Sequence, residues 1–244
     1  MNKILMASVS VVALTAVASP AMAGNPYLQL GAGFATGSER DWDRDPPPRT
    51  VIFTTGAQEF HGGPAFEAAI GYDVGPVWNN TGIRVELQAT YINYDVGRVQ
   101  FGGPSSDSPS SAPPNGSRVG DLTETLLMAN VLVDIDLGIP LTPYVGVGIG
   151  FALSNLDSGG TGSTPPFMQF DGLDDVGLAW QIILGASVAV APNLDVYGNY
   201  RLIGLPGFEG PDIEAAAGNA GAGHTDFDSD LSHAITVGIR YNFM

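Results

Sequence analysis

The chain has 244 residues, no cysteine, 33 glycines, 18 prolines and 14% charged residues, with 25 Asp and Glu against 9 Lys and Arg. A net charge of −16 excludes a nucleic-acid binder, which needs a basic footprint to displace phosphate counterions. The lack of cysteine excludes a disulfide framework, Cys-ligated metal centres and thiol nucleophiles, and 44% hydrophobic content is too high for a disordered acidic chain.

Residues 1–23, MNKILMASVSVVALTAVASPAMA, have the layout of a secretory signal peptide. Lys3 supplies a short positive region, an apolar stretch follows, and Ala21-Met22-Ala23 offers small residues at Ala21 and Ala23, the two positions a signal peptidase reads. An uncleaved anchor is the alternative, but the apolar stretch is short for a span of about 20 residues. Lys3 is the single lysine, so residues 24–244 carry eight arginines and 25 acids. They are expected to form one domain.

No apolar run of about 18 residues follows residue 23. The pattern is instead alternation with period two, the mark of half-buried strands. It is clearest in three segments. In Ile83 to Tyr94 the row Ile83, Val85, Leu87, Ala89 and Tyr91 alternates with Arg84, Glu86, Gln88, Thr90, Ile92 and Tyr94. In Tyr144 to Leu153 an apolar row from Val145 to Leu153 alternates with Tyr144, Gly146, Gly148, Gly150 and Ala152. At the C-terminus Ile235, Val237, Ile239, Tyr241 and Phe243 alternate with Ala234, Thr236, Gly238, Arg240 and Asn242. Segments 27–36, 64–73, 121–137, 176–190 and 194–204 follow the pattern less cleanly, giving eight expected strands.

The connections alternate in length. Segments 74–81, 138–143 and 191–193 are short, whereas 37–63, 95–120, 155–175 and 205–229 are long and hold DPPPR, GGPSSDSPSSAPPNGS and AAAGNAGAG. Proline and glycine there are expected to block further pairing. All short turns then fall at one end of the strands, the layout of an antiparallel up-and-down barrel.

Period two fits a soluble barrel, apolar inside, and a membrane barrel, apolar outside. Three features favour the membrane barrel. The polar rows are rich in Gly and Ala, which suits a cramped eight-stranded interior. Aromatics (Phe34, Tyr72, Tyr91, Trp180, Tyr241 and Phe243) stand at the ends of the apolar rows, as interfacial girdles do. The strands carry no lysine.

NPYLQLGAGF (25–34), TLLMANVLVDI (125–135), LTPYVGVGIGFA (141–152), AWQIILGASVAVAPNLDVYGNYRL (179–202) and HAITVGIRYNF (233–243) stand in that order. With the signal segment, they resemble the small OmpA-like outer-membrane β-barrels of Gram-negative bacteria, the outer membrane protein β-barrel domain group. The resemblance covers the strands and none of the long loops. It implies an eight-stranded transmembrane barrel with periplasmic turns and four long extracellular loops, surrounded by outer-membrane lipid and lipopolysaccharide. It also implies a closing strand whose terminal aromatics, here Tyr241 and Phe243, are read by the barrel-assembly machinery. This chain departs from that pattern in carrying Met244 after Phe243.

The parity that faces the lumen carries Glu67, Asp73, Arg84, Glu86, Glu124, Asp134, Arg201 and Arg240. Arg84, Glu86, Asp134 and Arg240 are placed toward the turn end, and Glu67, Glu124 and Arg201 toward the loop end. Buried charges must pair, and an eight-stranded interior has room for side chains and little else. The expected role is a salt-bridged plug, with a conducting or gating network as the alternative. Some barrels of this size modify lipid A with a Ser, a His and an acid. Ser232 and His233 are neighbours in a strand, so they point to opposite faces and form no nucleophile–base pair. The acidic runs DFDSD (226–230) and FDGLDD (170–175) are oxygen-rich, yet neither matches an EF-hand loop. No metal or cofactor is expected. The expected function is a structural or surface-interaction barrel presenting acidic loops to an unidentified ligand, the alternative being a narrow channel for small solutes or ions.

Overall fold

The computed structural model describes residues 24–37, 39–44, 55–78, 80–103, 106–111, 120–157, 173–210 and 225–243. The signal segment with Ala21 and Ala23, residues 170–172 of the second acidic run, and Met244 lie outside the described residues. Eight antiparallel strands close a barrel: β1 (Asn25–Thr36), β4 (Gly63–Trp78), β5 (Thr81–Gly103), β7 (Gly120–Ile135), β8 (Leu141–Asp157), β9 (Leu173–Ala191), β10 (Leu194–Leu205) and β13 (Asp230–Asn242). Each pairs with the next in that order, and β13 returns to β1 with Tyr27 opposite Asn242 and Thr36 opposite His233. Closure leaves no free edge among these eight.

One glycine lies in the turn between β7 and β8, and another marks an irregularity inside β4 just before its end. Asp73-Val74-Gly75 and Asp136-Leu137-Gly138 share an Asp-x-Gly pattern. In each, the carboxylate accepts a hydrogen bond from the glycine N–H at 2.8 Å, and the glycine takes a positive φ, +90° at Gly75 and +69° at Gly138. A short acid that folds back on its own backbone, followed by a residue with no Cβ, suits both a tight turn and a bulge. Gly75 also marks a register shift between β4 and β5. The Asp136 N–H donates to the Asn80 carbonyl at 2.7 Å, which ties two turns together.

Two expectations require correction. The strands run further than the alternation implies: β5 extends to Gly103 and β8 to Asp157. The long connections also contain strands: β2 (Glu39–Arg44), β3 (Thr55–His61), β6 (Ser106–Ser111), β11 (Phe208–Gly210) and β12 (Thr225–Phe227). They extend the sheet in the order β11-β12-β2-β3-β5, with β6 also on β5. Glycine and proline do not prevent this. The pairing stretches of β2 and β3 contain no proline, and Pro109 in β6 falls where the register with β5 skips, where a missing N–H is tolerated. The first and last long connections meet where Trp42 stands opposite Phe227.

The alternation sets the two faces as expected. Leu28, Leu30, Val85, Leu87, Val147, Ile149, Ile182, Val237 and Ile239 are exposed on the outside, and the opposite parity is buried within.

Candidate functional site

The lumen has three levels. At the turn end, Asp134 holds Arg84 by two parallel hydrogen bonds, 2.6 Å from Nε and 2.8 Å from Nη2. This fork is the strong geometry for a guanidinium. Arg240 reaches Asp195 at 2.7 Å and donates to the Ser187 hydroxyl at 3.1 Å. Asn242 donates to the same Asp195 oxygen at 3.0 Å. Tyr27 stands between the two cations. Its ring centroid is 5.6 Å from each guanidinium carbon, and Arg84 lies 4.8 Å from the Tyr144 centroid, within cation–π range. The Tyr27 hydroxyl donates to Glu86 at 3.1 Å.

The middle level is a polar network centred on Glu67. Tyr197 donates to it at 2.6 Å, Gln88 at 3.3 Å, and Arg201 closes a salt bridge at 2.9 Å with both side chains almost fully buried. Asn130 donates to Glu86 at 2.8 Å and Gln88 at 2.9 Å, and Gln181 donates to Asn130 at 2.6 Å. Arg201 and Thr236 share the Asn199 side-chain oxygen. Three tyrosines fit because glycine faces each across the ladder: Tyr27 opposite Gly71, Tyr144 opposite Gly185, and Tyr197 opposite Gly238. A Cβ at any of the three glycines would collide with the facing ring.

The loop end is apolar. Ala35, Ala65, Ile92, Tyr94, Leu122, Leu126, Met128, Ala152, Ala179, Ile203, Leu205 and Ala234 form one buried cluster. Glu124 is fully buried at this level, opposite Ser154.

The structure thus brings Arg84 to Asp134, Glu67 to Arg201, and Glu86 into the same network. It does not bring Arg240 to any of the eight expected residues. Its partner is Asp195, which sequence reasoning omits although the outward row Val196, Tyr200 places it on the inward parity. Asp73 lies apart, its carboxylate engaged with the Gly75 N–H. The apolar loop-end cluster is a second omission. Both parities of TLLMANVLVDI are apolar, so alternation conceals the inward Leu126 and Met128 of that cluster, and Leu132, which packs with Tyr144 and Ile183 nearer the turn end.

On the outside, among the described residues, no Asp, Glu, Lys or Arg stands on the outward rows between the two aromatic levels. Phe34, Phe66, Tyr91, Phe151, Trp180 and Tyr200 form the loop-side level, and Tyr72, Tyr241 and Phe243 the turn-side level. Tyr241 and Phe243 pack edge to face at 5.1 Å, and the Phe243 N–H donates to the Pro26 carbonyl at 2.9 Å, carrying the ladder to the chain end. Ser232 is buried in the lumen, where it bonds Tyr94 and the Thr36 carbonyl, while His233 is outside against Tyr200.

The family described as outer membrane protein beta-barrel domain matches residues 9–243. An outer membrane protein of Gluconacetobacter diazotrophicus is 27% identical over 98% of this chain, which spans 63% of that relative's length. An uncharacterized protein of Brucella abortus is 27% identical over 92% of this chain and 86% of its own. Among solved structures, the outer membrane protein OprG of Pseudomonas aeruginosa aligns with a TM-score of 0.61 at 12% identity, covering 91% of this chain and 97% of OprG. The Escherichia coli outer membrane protease OmpT aligns with a TM-score of 0.51 at 9% identity, over 90% and 97%. At these identities the two structures share the fold with this chain.

Proposed function

The chain belongs to the outer membrane protein beta-barrel domain family, and from that premise and its occupied lumen we propose that it is a non-conducting structural and surface-interaction barrel. The observation that carries this reading is the stack of ion pairs, polar network and apolar cluster from the turn end to the loop end. Each charge of the pairs is held by an opposite charge, so opening a path breaks buried pairs rather than moving water. In this reading a cleaved signal at 1–23 directs export, the assembly machinery reads Tyr241 and Phe243, lipopolysaccharide and lipid surround the wall, and the long acidic connections meet their ligand outside the cell. Planar-bilayer recording tests it: the wild type is expected to give no steady current.

The alternative is a narrow cation channel. Its support is the excess of acids among the described inward charges, where Glu67, Asp73, Glu86, Glu124, Asp134 and Asp195 stand with Arg84, Arg201 and Arg240. Steady cation-selective current from the wild type would replace the plug by this channel. A lipid A-modifying enzyme is the weakest reading, because Ser232 and His233 work on opposite sides of the wall. An unchanged lipid A mass profile on deletion of the protein is the expected outcome.

A further inference from the structure

Among the described residues of the eight barrel strands, His233 is the one imidazole, and it stands outward at a defined height. His233 and Phe243 stand on the same outward row of the closing strand, ten residues apart. At about 3.3 Å per residue the strand between them is about 33 Å long. A tilt of roughly 35–45° reduces that to a height of about 25 Å, the height of the apolar band of such a barrel. With Phe243 at one membrane interface, His233 lies at the other, at headgroup level. Just below it, Phe34 and Tyr200 both face Ile235 across the ladders.

The ring is fixed there. Its Nδ1 is 2.6 Å from the Tyr200 hydroxyl, and the two rings stack at 6.0 Å. With Tyr200 donating, or with the ring protonated, Nε2 carries a proton. Among the described residues Nε2 has no protein partner. The neighbours across the ladders are Thr36 and Leu202, the titratable neighbour on this face is Tyr200, and Asp230 of the same strand is on the inward parity. An N–H donor at this height meets a leaflet whose headgroups are phosphorylated.

We propose that His233, oriented by Tyr200, is a contact site for the phosphate of a membrane lipid at the loop-end interface. The proposal rests on the membrane placement of the barrel. It does not depend on the lumen being closed, and symmetric bilayers make its test independent of which way the loops face.

The test is solid-state NMR on the full barrel with ¹⁵N-labelled histidine, reading ³¹P dephasing of each imidazole. Three media are used: lipid A bilayers, phosphatidylglycerol bilayers, and maltoside micelles with inorganic phosphate. Dephasing of His233 Nε2 is expected in both bilayers and not in the micelles, with His61 unaffected. Tyr200→Phe should weaken the phosphate contact while the barrel stays folded, and His233→Gln assigns the signal. No dephasing in either bilayer would overturn the proposal. Equal dephasing in micelles would make free phosphate the ligand, and an unchanged contact in Tyr200→Phe would remove Tyr200 from the site.

Discussion

Asp195 and Arg240 face each other directly across the β10–β13 ladder and close a salt bridge of 2.7 Å inside the turn-end mouth. The pair is asymmetric in its support. Once Asp195 is gone Arg240 keeps the Ser187 hydroxyl and the Tyr27 ring, and its Nη1 already lacks a hydrogen-bond partner. Asp195→Ala is therefore expected to destabilise the barrel by about 3 kcal/mol, the lower part of the range for stranding a buried charge, because the mouth is close to water. Urea unfolding in lipid vesicles measures it. An effect below about 0.5 kcal/mol, as for an exposed pair, would show that the mouth is open to solvent.

The central pair should be more sensitive. Glu67 holds Arg201, Tyr197 and Gln88 together, so Glu67→Ala strands an almost fully buried cation, at about 3–5 kcal/mol. Adding Arg201→Ala removes the stranded charge, and the double variant is expected to be more stable than Glu67→Ala alone. That sign is the diagnostic of a double-mutant cycle on a coupled pair. Simple addition of the two losses would mean that the residues do not act together.

Val147 and Gly148 are neighbours that report on opposite faces. Val147 is 61% exposed in the outward row, and Val147→Arg is expected to lose about 2–4 kcal/mol in lipid. A Cβ on Gly148 would meet the Asn130 side-chain oxygen, so Gly148→Ala should lose about 1–3 kcal/mol by overpacking. In detergent micelles the first loss should shrink and the second persist. A neutral Val147→Arg in vesicles would reverse the inside–outside assignment.

Most of the barrel is legible in the sequence because its physics is local. Alternation from Ile83 to Tyr94 assigns every residue there to its correct face, and the short and long connections give the up-and-down order. What is not legible depends on partners distant in sequence. Arg240 finds Asp195 through register, and three tyrosines fit only because register puts glycines opposite them. The apolar loop-end cluster is hidden where both parities are apolar, since a membrane barrel needs no polar lumen once side chains fill it. The added strands β2, β3 and β12 arise from connections that pair with one another and with β5, which no local turn signal encodes.

Orientation has its own test. Both described chain ends, Gly24 and Phe243, lie at the turn end, with the long connections opposite. Protease added to intact cells is expected to cut within 37–63, 95–120, 155–175 or 205–229 and to spare the strands. Cleavage that requires a broken outer membrane would put the turns outside.

Arg84 joins structure to function, because its two-pronged contact with Asp134 and its place against Tyr27 and Tyr144 make it the largest obstacle at the turn-end level. Arg84→Ala removes the guanidinium, leaves Asp134 without its cation, and takes from Tyr27 one of its two cationic neighbours. Two outcomes are expected together. Stability falls by about 3–5 kcal/mol, as for any buried pair broken on one side. Conductance rises from the silent wild-type level to brief cation-selective openings, because the space emptied is lined by Asp134 and Glu86. A channel predicts the reverse combination: steady current in the wild type, altered ion selectivity in the variant, and little loss of stability, since a water-filled lumen would screen the lost charge. Paired unfolding and single-channel recordings on wild type and Arg84→Ala separate the two, and steady wild-type current with a near-neutral variant would leave the plug without support.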